Sequence, residues 1–332
     1  MNLDRRNLMG LAALVAGSAA AGAPASAAVQ MRPGPAIAPP DPTEVWKLWP
    51  QGAPGGERVT VTPVVTERSS DPAFHDRFAQ YTTDPILTVM RPITPNGASL
   101  ILIPGGGYKW SVVDKEGFDV ARVFAEAGVT CFVLRYRLPA DGWAAGPEAP
   151  LQDAQRAIRL VRSRAAEFGL DPARVAVLGA SAGGHLGGWV TAARTPAYAA
   201  VDAHDEASLR PDLSILMYPV ATMGDPFVHA GSRAELLGPS PTPAQVAAYS
   251  LEQMDWTGAP PVWLVHAIDD PAVVVENSLQ LLSALRRAKV PAEAHLYEEG
   301  GHGFGVRLIA GKPAEAWPDL ALRFGRRHGW IA

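Results

Sequence analysis

Short apolar runs rich in β-branched residues recur along the chain, separated by amphipathic stretches. ILTVM (86–90), SLILIP (99–104), TCFVLRY (130–136), RVAVLG (174–179), LSILMY (213–218), PVWLVHA (261–267) and AEAHLYE (292–298) read as strands. Segments near 116–127, 151–168, 182–193, 276–289 and 314–326 read as helices. In the second of these, Ala154, Ile158, Val161 and Ala165 fall at helical spacing. Arg156, Arg159 and Arg162 fall on its other faces and are expected to be solvated. Several strand runs are continuously apolar, as expected where helices cover both faces of a sheet. Alternating strand and helix predicts an α/β fold, a doubly wound and mostly parallel sheet with helices on both faces. Sites in such sheets form beyond the C-terminal ends of the strands.

Composition narrows the partners. The 332 residues carry 29 Lys and Arg against 33 Asp and Glu, a formal net charge of −4 without a basic cluster. That balance argues against nucleic acid, whose phosphates need concentrated cations. No apolar run after residue 30 is long enough to cross a membrane, so no span is expected in the mature protein. The first residues are a separate object. Arg5 and Arg6 precede a weakly apolar LAALVAGSAAAGA, and Ala25-Ser26-Ala27 fits a cleavage site. Residues 1–27 are therefore predicted to be a signal peptide of the twin-arginine type, exporting the protein to a bacterial periplasm or beyond. Residues 28–44 are Pro-rich and expected to be a linker. A single domain is expected over 45–332. Cys131 is the only cysteine, so no intrachain disulfide is possible, and its strand context marks it as a core side chain.

The strand ends hold the chemistry. RVAVLG runs into Ala180-Ser181-Ala182-Gly183-Gly184-His185, a strand–turn–helix with G-x-S-x-G across the turn. The glycines allow a close corner, which also suits plain packing, while a serine there would sit at a helix N-terminus. SLILIP runs into Gly105-Gly106-Gly107-Tyr108, whose open N–H groups suit an oxyanion hole completed by Ala182, or a bland turn. PVWLVHA leads to Asp269-Asp270, of which only one can orient an imidazole. Asp270 is favoured, with Asp269 as a turn cap. AEAHLYE leads to Gly300-Gly301-His302-Gly303, a histidine on a late loop. The order Ser181, Asp270, His302 is that of nucleophile, acid and base in hydrolases of this strand pattern.

At IPGGGY, KEGFDVARVFAEAGV, FVLRYRLP, the long run from PLQDAQ to GASAGGHL, HAIDDPAVVVENS and GGHGFG, the chain resembles the α/β-hydrolase esterases. The resemblance is to the bacterial acetylesterase and acetyl-xylan-esterase-like group, and it runs from about residue 48 to the C-terminus. It implies the α/β-hydrolase fold, with Ser181 as nucleophile, Asp270 as acid and His302 as base. It also implies an oxyanion hole from Gly106 or Gly107 with Ala182, and removal of acetyl groups from sugars such as those of xylan. One departure is Pro104, where lipase-type enzymes often carry histidine.

Other residues have two readings. Tyr108 and Trp110 could stack on a sugar ring or shield the core. His185, one turn after Ser181, could line the pocket or simply pack. Arg137 could belong to a pocket wall or to a structural ion pair. No metal-ligand spacing or cofactor motif is evident, so neither a metal nor a cofactor is expected. The rival functions are a general short-chain carboxylesterase, a peptidase or lipase of the same fold, and a catalytically silent binding protein. The mixed, Pro-rich stretch at 220–258 does not read as a long apolar lid.

Overall fold

The seven apolar runs all form strands in the computed structural model, which describes residues 38–332. The expected signal peptide and the linker as far as residue 37 lie outside the described residues. In chain order the strands are β1 (Val45–Lys47), β2 (Val64–Glu67), β3 (Arg77–Gln80), β4 (Ile86–Met90), β5 (Ser99–Ile103), β6 (Ser111–Val112), β7 (Thr130–Arg135), β8 (Val175–Ala180), β9 (Leu213–Met217), β10 (Val262–Ala267) and β11 (Ala292–Tyr297). The α-helices are α1 (Asp119–Glu126), α2 (Ala149–Ser163), α3 (Ala182–Ala192), α4 (Ala230–Leu237), α5 (Pro243–Tyr249), α6 (Glu276–Arg287) and α7 (Trp317–Arg327). A π-helical turn, Asp114–Phe118, leads into α1.

Eight strands build the main sheet in the order β1-β4-β7-β5-β8-β9-β10-β11. Pairing is antiparallel on both sides of β4 and parallel from β7 through to β11. The expected mostly parallel sheet is present, and β4 is its antiparallel exception. Successive side chains leave opposite faces, as the pleat requires. Leu100 and Leu102 pack with Phe124 of α1 and Trp317 of α7. Ile101 and Ile103 pack with Ile158 of α2 and Leu186 of α3. Near the other edge, Leu216 and Leu264 meet Leu281 and Leu285 of α6. Cys131 lies in the core, where burial raises its thiol pKa.

The arginines of α2 overturn one expectation. Every residue from Ala149 to Val161 is buried, Arg156 and Arg159 included. Arg156 donates to the Leu48 carbonyl oxygen and pairs with Asp202 and Asp205. The helix lies beneath loops that supply these carboxylates, so its polar residues are paired rather than solvated. Arg137 is likewise buried and structural. It donates to both carboxylate oxygens of Asp153 at 3.0 Å and packs near Trp49 and Trp143.

Several features lie outside the predicted elements, the short edge strand β1 among them. A three-stranded sheet, β2-β3-β6, is antiparallel throughout. Helices α4 and α5 occupy the stretch read as a mixed insertion, and α5 starts with a capping box from Thr242 and Gln245. Residues 38–44 carry no strand or helix, and Asp41 pairs with Arg77 while Glu44 pairs with Arg91. Because β5 and β8 through β11 run parallel as neighbours, the loops after them emerge along one edge of the sheet.

Candidate active site

Strand β8 ends at Ala180, and the chain reverses into α3 at Ser181. Ser181 holds φ 55° and ψ −120°, a backbone conformation that costs a side chain about 1–3 kcal/mol. Small residues make the corner possible. A Cβ on Gly179 would lie 2.2 Å from the Gly183 carbonyl oxygen, and one on Gly183 would lie 2.0 Å from that of Ile103. The strained residue is pinned on both sides, since Ser181 N–H donates to the Met217 carbonyl and its own carbonyl accepts from His185 and Val220.

The hydroxyl of Ser181 lies 2.9 Å from His302 Nε2, and His302 Nδ1 lies 2.7 Å from Asp270 Oδ2. Asp270 is fixed in turn. Its Oδ1 accepts from the N–H groups of Ala272 and Val273, both at 2.9 Å. Burial alone would raise its pKa, but hydrogen bonds from His266 and His302, the charge on His302 and the Val273 N–H outweigh burial and hold the carboxyl below its usual range. Asp269 does not cap its own turn as expected but reaches across to the loop that carries His302, accepting from Gly301 N–H at 2.8 Å. The structure thus brings Ser181, His302 and Asp270 into one chain of hydrogen bonds and leaves Asp269 outside it. An alcohol so placed can give its proton to the imidazole as its oxygen attacks a carbonyl.

Ser181 and His302 open onto a cavity of about 400 Å³. Gly106, Gly107 and Trp110 form part of its wall. Among the described residues, no protein acceptor takes the N–H groups of Gly106, Gly107 or Ala182. Those donors are free for an oxyanion. Gly105 is not, because its N–H donates to Glu116 Oε2 at 2.8 Å. Gly106 has to be glycine: its φ is +130°, and a Cβ would lie 2.3 Å from the Trp110 carbonyl oxygen. Charged groups ring the cavity, with Arg68, Lys109 and Lys115 set against Glu116 and Glu235. Among the described residues, no group of three or more His, Cys, Asp or Glu side chains is arranged to hold a metal ion.

A family model described as the alpha/beta hydrolase fold matches residues 100–306, more than half of the chain. The chain belongs to the α/β hydrolases. It is 34% identical over 213 residues to an endo-1,4-beta-xylanase B of Butyrivibrio fibrisolvens, and 31% identical over 218 residues to an acetylxylan esterase of Xylanibacter ruminicola. These matches take in 62% and 64% of this chain but only 32% and 42% of the relatives, so the chain spans less than half the length of either. It also resembles the solved acetyl ester-xyloside bifunctional hydrolase from Caldicellulosiruptor lactoaceticus. That likeness has a TM-score of 0.69 and 31% identity over 87% of this chain and 97% of the other. An esterase from Thermogutta terrifontis shares the fold, with a TM-score of 0.61 at 23% identity over 81% and 95% of the two chains.

Two expected substrate contacts do not reach the cavity. Tyr108 has φ +63°, which turns its ring inward, and it is fully buried. Its hydroxyl lies 2.7 Å from His185 Nδ1. His185 is also fully buried, with Nε2 donating to the Tyr249 carbonyl at 2.7 Å, so Nδ1 accepts from the tyrosine. Burial lowers the His185 pKa to about 4 and keeps it neutral. Of the three residues considered for substrate contact, Trp110 alone lines the cavity, with its ring 5.0 Å from that of Phe78 on β3.

Three site residues were not anticipated. His266, within β10, donates from Nε2 to the Val273 carbonyl at 2.8 Å and stands 3.3 Å from Asp270 Oδ2. Its position four residues before Asp270 was the available signal. Glu116 accepts from Gly105 and from the Tyr218 hydroxyl, the latter at 3.1 Å. His229 caps α4 and lines the cavity. Glu116 carries no local signal because it is defined by what lies across the fold from it, and the local cap that His229 forms gives no sign of the cavity it lines.

Proposed function

We propose that the chain is an exported serine esterase that removes acetyl and other short acyl groups from carbohydrate, with plant cell-wall glycan such as xylan as the substrate class. The observation that carries the reading is the Ser181–His302–Asp270 hydrogen-bond chain opening onto a cavity beside three unused backbone N–H groups. The named relatives and the bifunctional hydrolase support the acetyl-carbohydrate part, and the Arg5-Arg6 leader supports export.

Ser181 Oγ attacks the ester carbonyl carbon while its proton passes to His302 Nε2. Asp270 holds the imidazole by Nδ1–H and stabilises the imidazolium. The carbonyl oxygen, now negative, takes the N–H groups of Ala182 and of Gly106 or Gly107. Each such donor contributes on the order of 10² in rate. The tetrahedral adduct collapses, the C–O bond to the sugar breaks, and Nε2 returns the proton to the leaving hydroxyl. Water then gives its proton to His302 and attacks the acyl-enzyme, releasing the acid and restoring Ser181.

The test is acetate release from acetylated xylo-oligosaccharides and from 4-nitrophenyl acetate, butyrate and octanoate. Ser181→Ala is expected to lower kcat on the order of 10⁶-fold, as for other triad serines. Retained turnover overturns the reading. A preference for octanoate over acetate would favour a lipase.

A further inference from the structure

We infer that His229 is a substrate-binding residue of this site, donating a hydrogen bond from Nε2 to a hydroxyl of the carbohydrate next to the ester. The inference rests on the esterase reading above and goes beyond it, by naming a recognition group on the insertion between β9 and β10.

The tautomer follows from the helix cap. Ser232 N–H donates to His229 Nδ1 at 3.1 Å, so Nδ1 carries a lone pair. The Ser232 hydroxyl, 2.8 Å from the same nitrogen, must therefore also act as a donor. The ring proton is left on Nε2, and among the described residues nothing accepts it. The ring lines the same cavity as Ser181 and His302. It also lies against the glycine loop, since a Cβ on Gly107 would be 3.9 Å from His229 Cε1. Burial lowers its pKa, the charge on His302 lowers it further, and Asp270 raises it. The neutral form is therefore favoured, with one donor and its acceptor nitrogen already used. A fixed donor without a protein partner, in a cavity next to the reacting serine, matches a polyol. A sugar hydroxyl is an acceptor of the right kind, whereas a nitrophenyl leaving group has no hydroxyl to offer.

His229→Asn separates this role from capping, because asparagine also caps helices well and its side-chain oxygen can take the Ser232 N–H. His229→Ala removes both functions and serves as the stability control. Wild type and both variants are assayed on acetylated xylo-oligosaccharide and on 4-nitrophenyl acetate, with thermal melting alongside. The expected result for His229→Asn is a melting temperature near that of wild type. Its loss of kcat/KM on the oligosaccharide should exceed its loss on nitrophenyl acetate by about tenfold, the usual weight of one such bond. Equal losses on the two substrates, or losses in both variants that simply follow the melting temperature, overturn the inference and leave the esterase reading standing. A wild-type protein that releases no acetate from the oligosaccharide overturns the inference together with the carbohydrate reading.

Discussion

Glu116 is a buried carboxylate that accepts from Gly105 on one side and from Tyr218 on the other, while the Tyr218 hydroxyl accepts Gly305 N–H at 3.2 Å. It therefore ties the glycine loop after β5 to the loop that carries His302. Glu116→Gln keeps one acceptor but removes the charge and presents an amide donor to the tyrosine. Charge-assisted bonds are about twice as strong as neutral ones. The expected outcome is a fall in kcat of about tenfold with KM moved less than about threefold. Glu116→Asp, which keeps the charge, should recover part of it. Steady-state kinetics normalised to phosphonate-titrated sites check this, because a purely structural defect would lower the titrated fraction and spare the rate per site. The sequence could announce Ser181, Asp270 and His302, since each follows a strand in a motif with glycine or proline beside it. It could not announce Glu116, whose partners lie across the fold, or His229, whose local cap on Ser232 says nothing of the cavity it lines. Tyr108 misled for a related reason, because the positive φ that turns its ring away from the cavity leaves no mark beyond a neighbouring glycine.

The β8–α3 corner is where the element scale matters most. Helix α3 comes so close to the sheet that Gly179, Gly183 and Gly184 meet backbone or Pro219 wherever a Cβ is added. Gly183→Ala would place a methyl 2.0 Å from a carbonyl oxygen that is itself part of β5, so neither element can yield alone. We expect a loss of about 3 kcal/mol in stability, measured by urea unfolding, together with loss of esterase activity. Full stability in that variant would contradict the close approach. Strands β5 and β7 to β10 were legible because they are largely apolar runs buried almost throughout, whereas the edge strand β1, only VWK, was not. The small sheet was not, since VVTE, RFAQ and SV are short and mixed, with β2 largely exposed. The direction of β4 was equally hidden, because an apolar run reads the same in either sense. On α2 the helical period was right and the solvation of its arginines was wrong, because periodicity cannot see the Asp202 and Asp205 that cover them.

For the molecule as a whole, pH reports on the buried His185. Its pKa is lowered to about 4 from an ordinary 6.5. Between those values the unfolded chain binds a proton that the folded chain refuses, so stability rises with pH across that window. The contribution is complete above about pH 6.5 and is lost as the pH falls towards 4, an effect of roughly 3 kcal/mol. Urea midpoints between pH 4.5 and 7 should therefore drop more steeply for the wild type than for His185→Gln, and parallel slopes would contradict this. Among the described residues no helix is long and apolar enough to cross a membrane. The cavity draws its walls from two sets of elements. Its floor comes from sheet-edge loops bound together through Glu116 and Tyr218. Its rim comes from the region of the small sheet, with Arg68 and Trp110, and from the α4 region, with His229 and Glu235. If the chain acts as proposed, bond breaking and the contact supplied by the α4 region are encoded in separate stretches of chain, so substitution around His229 changes which substrate is held and leaves the reaction itself constant.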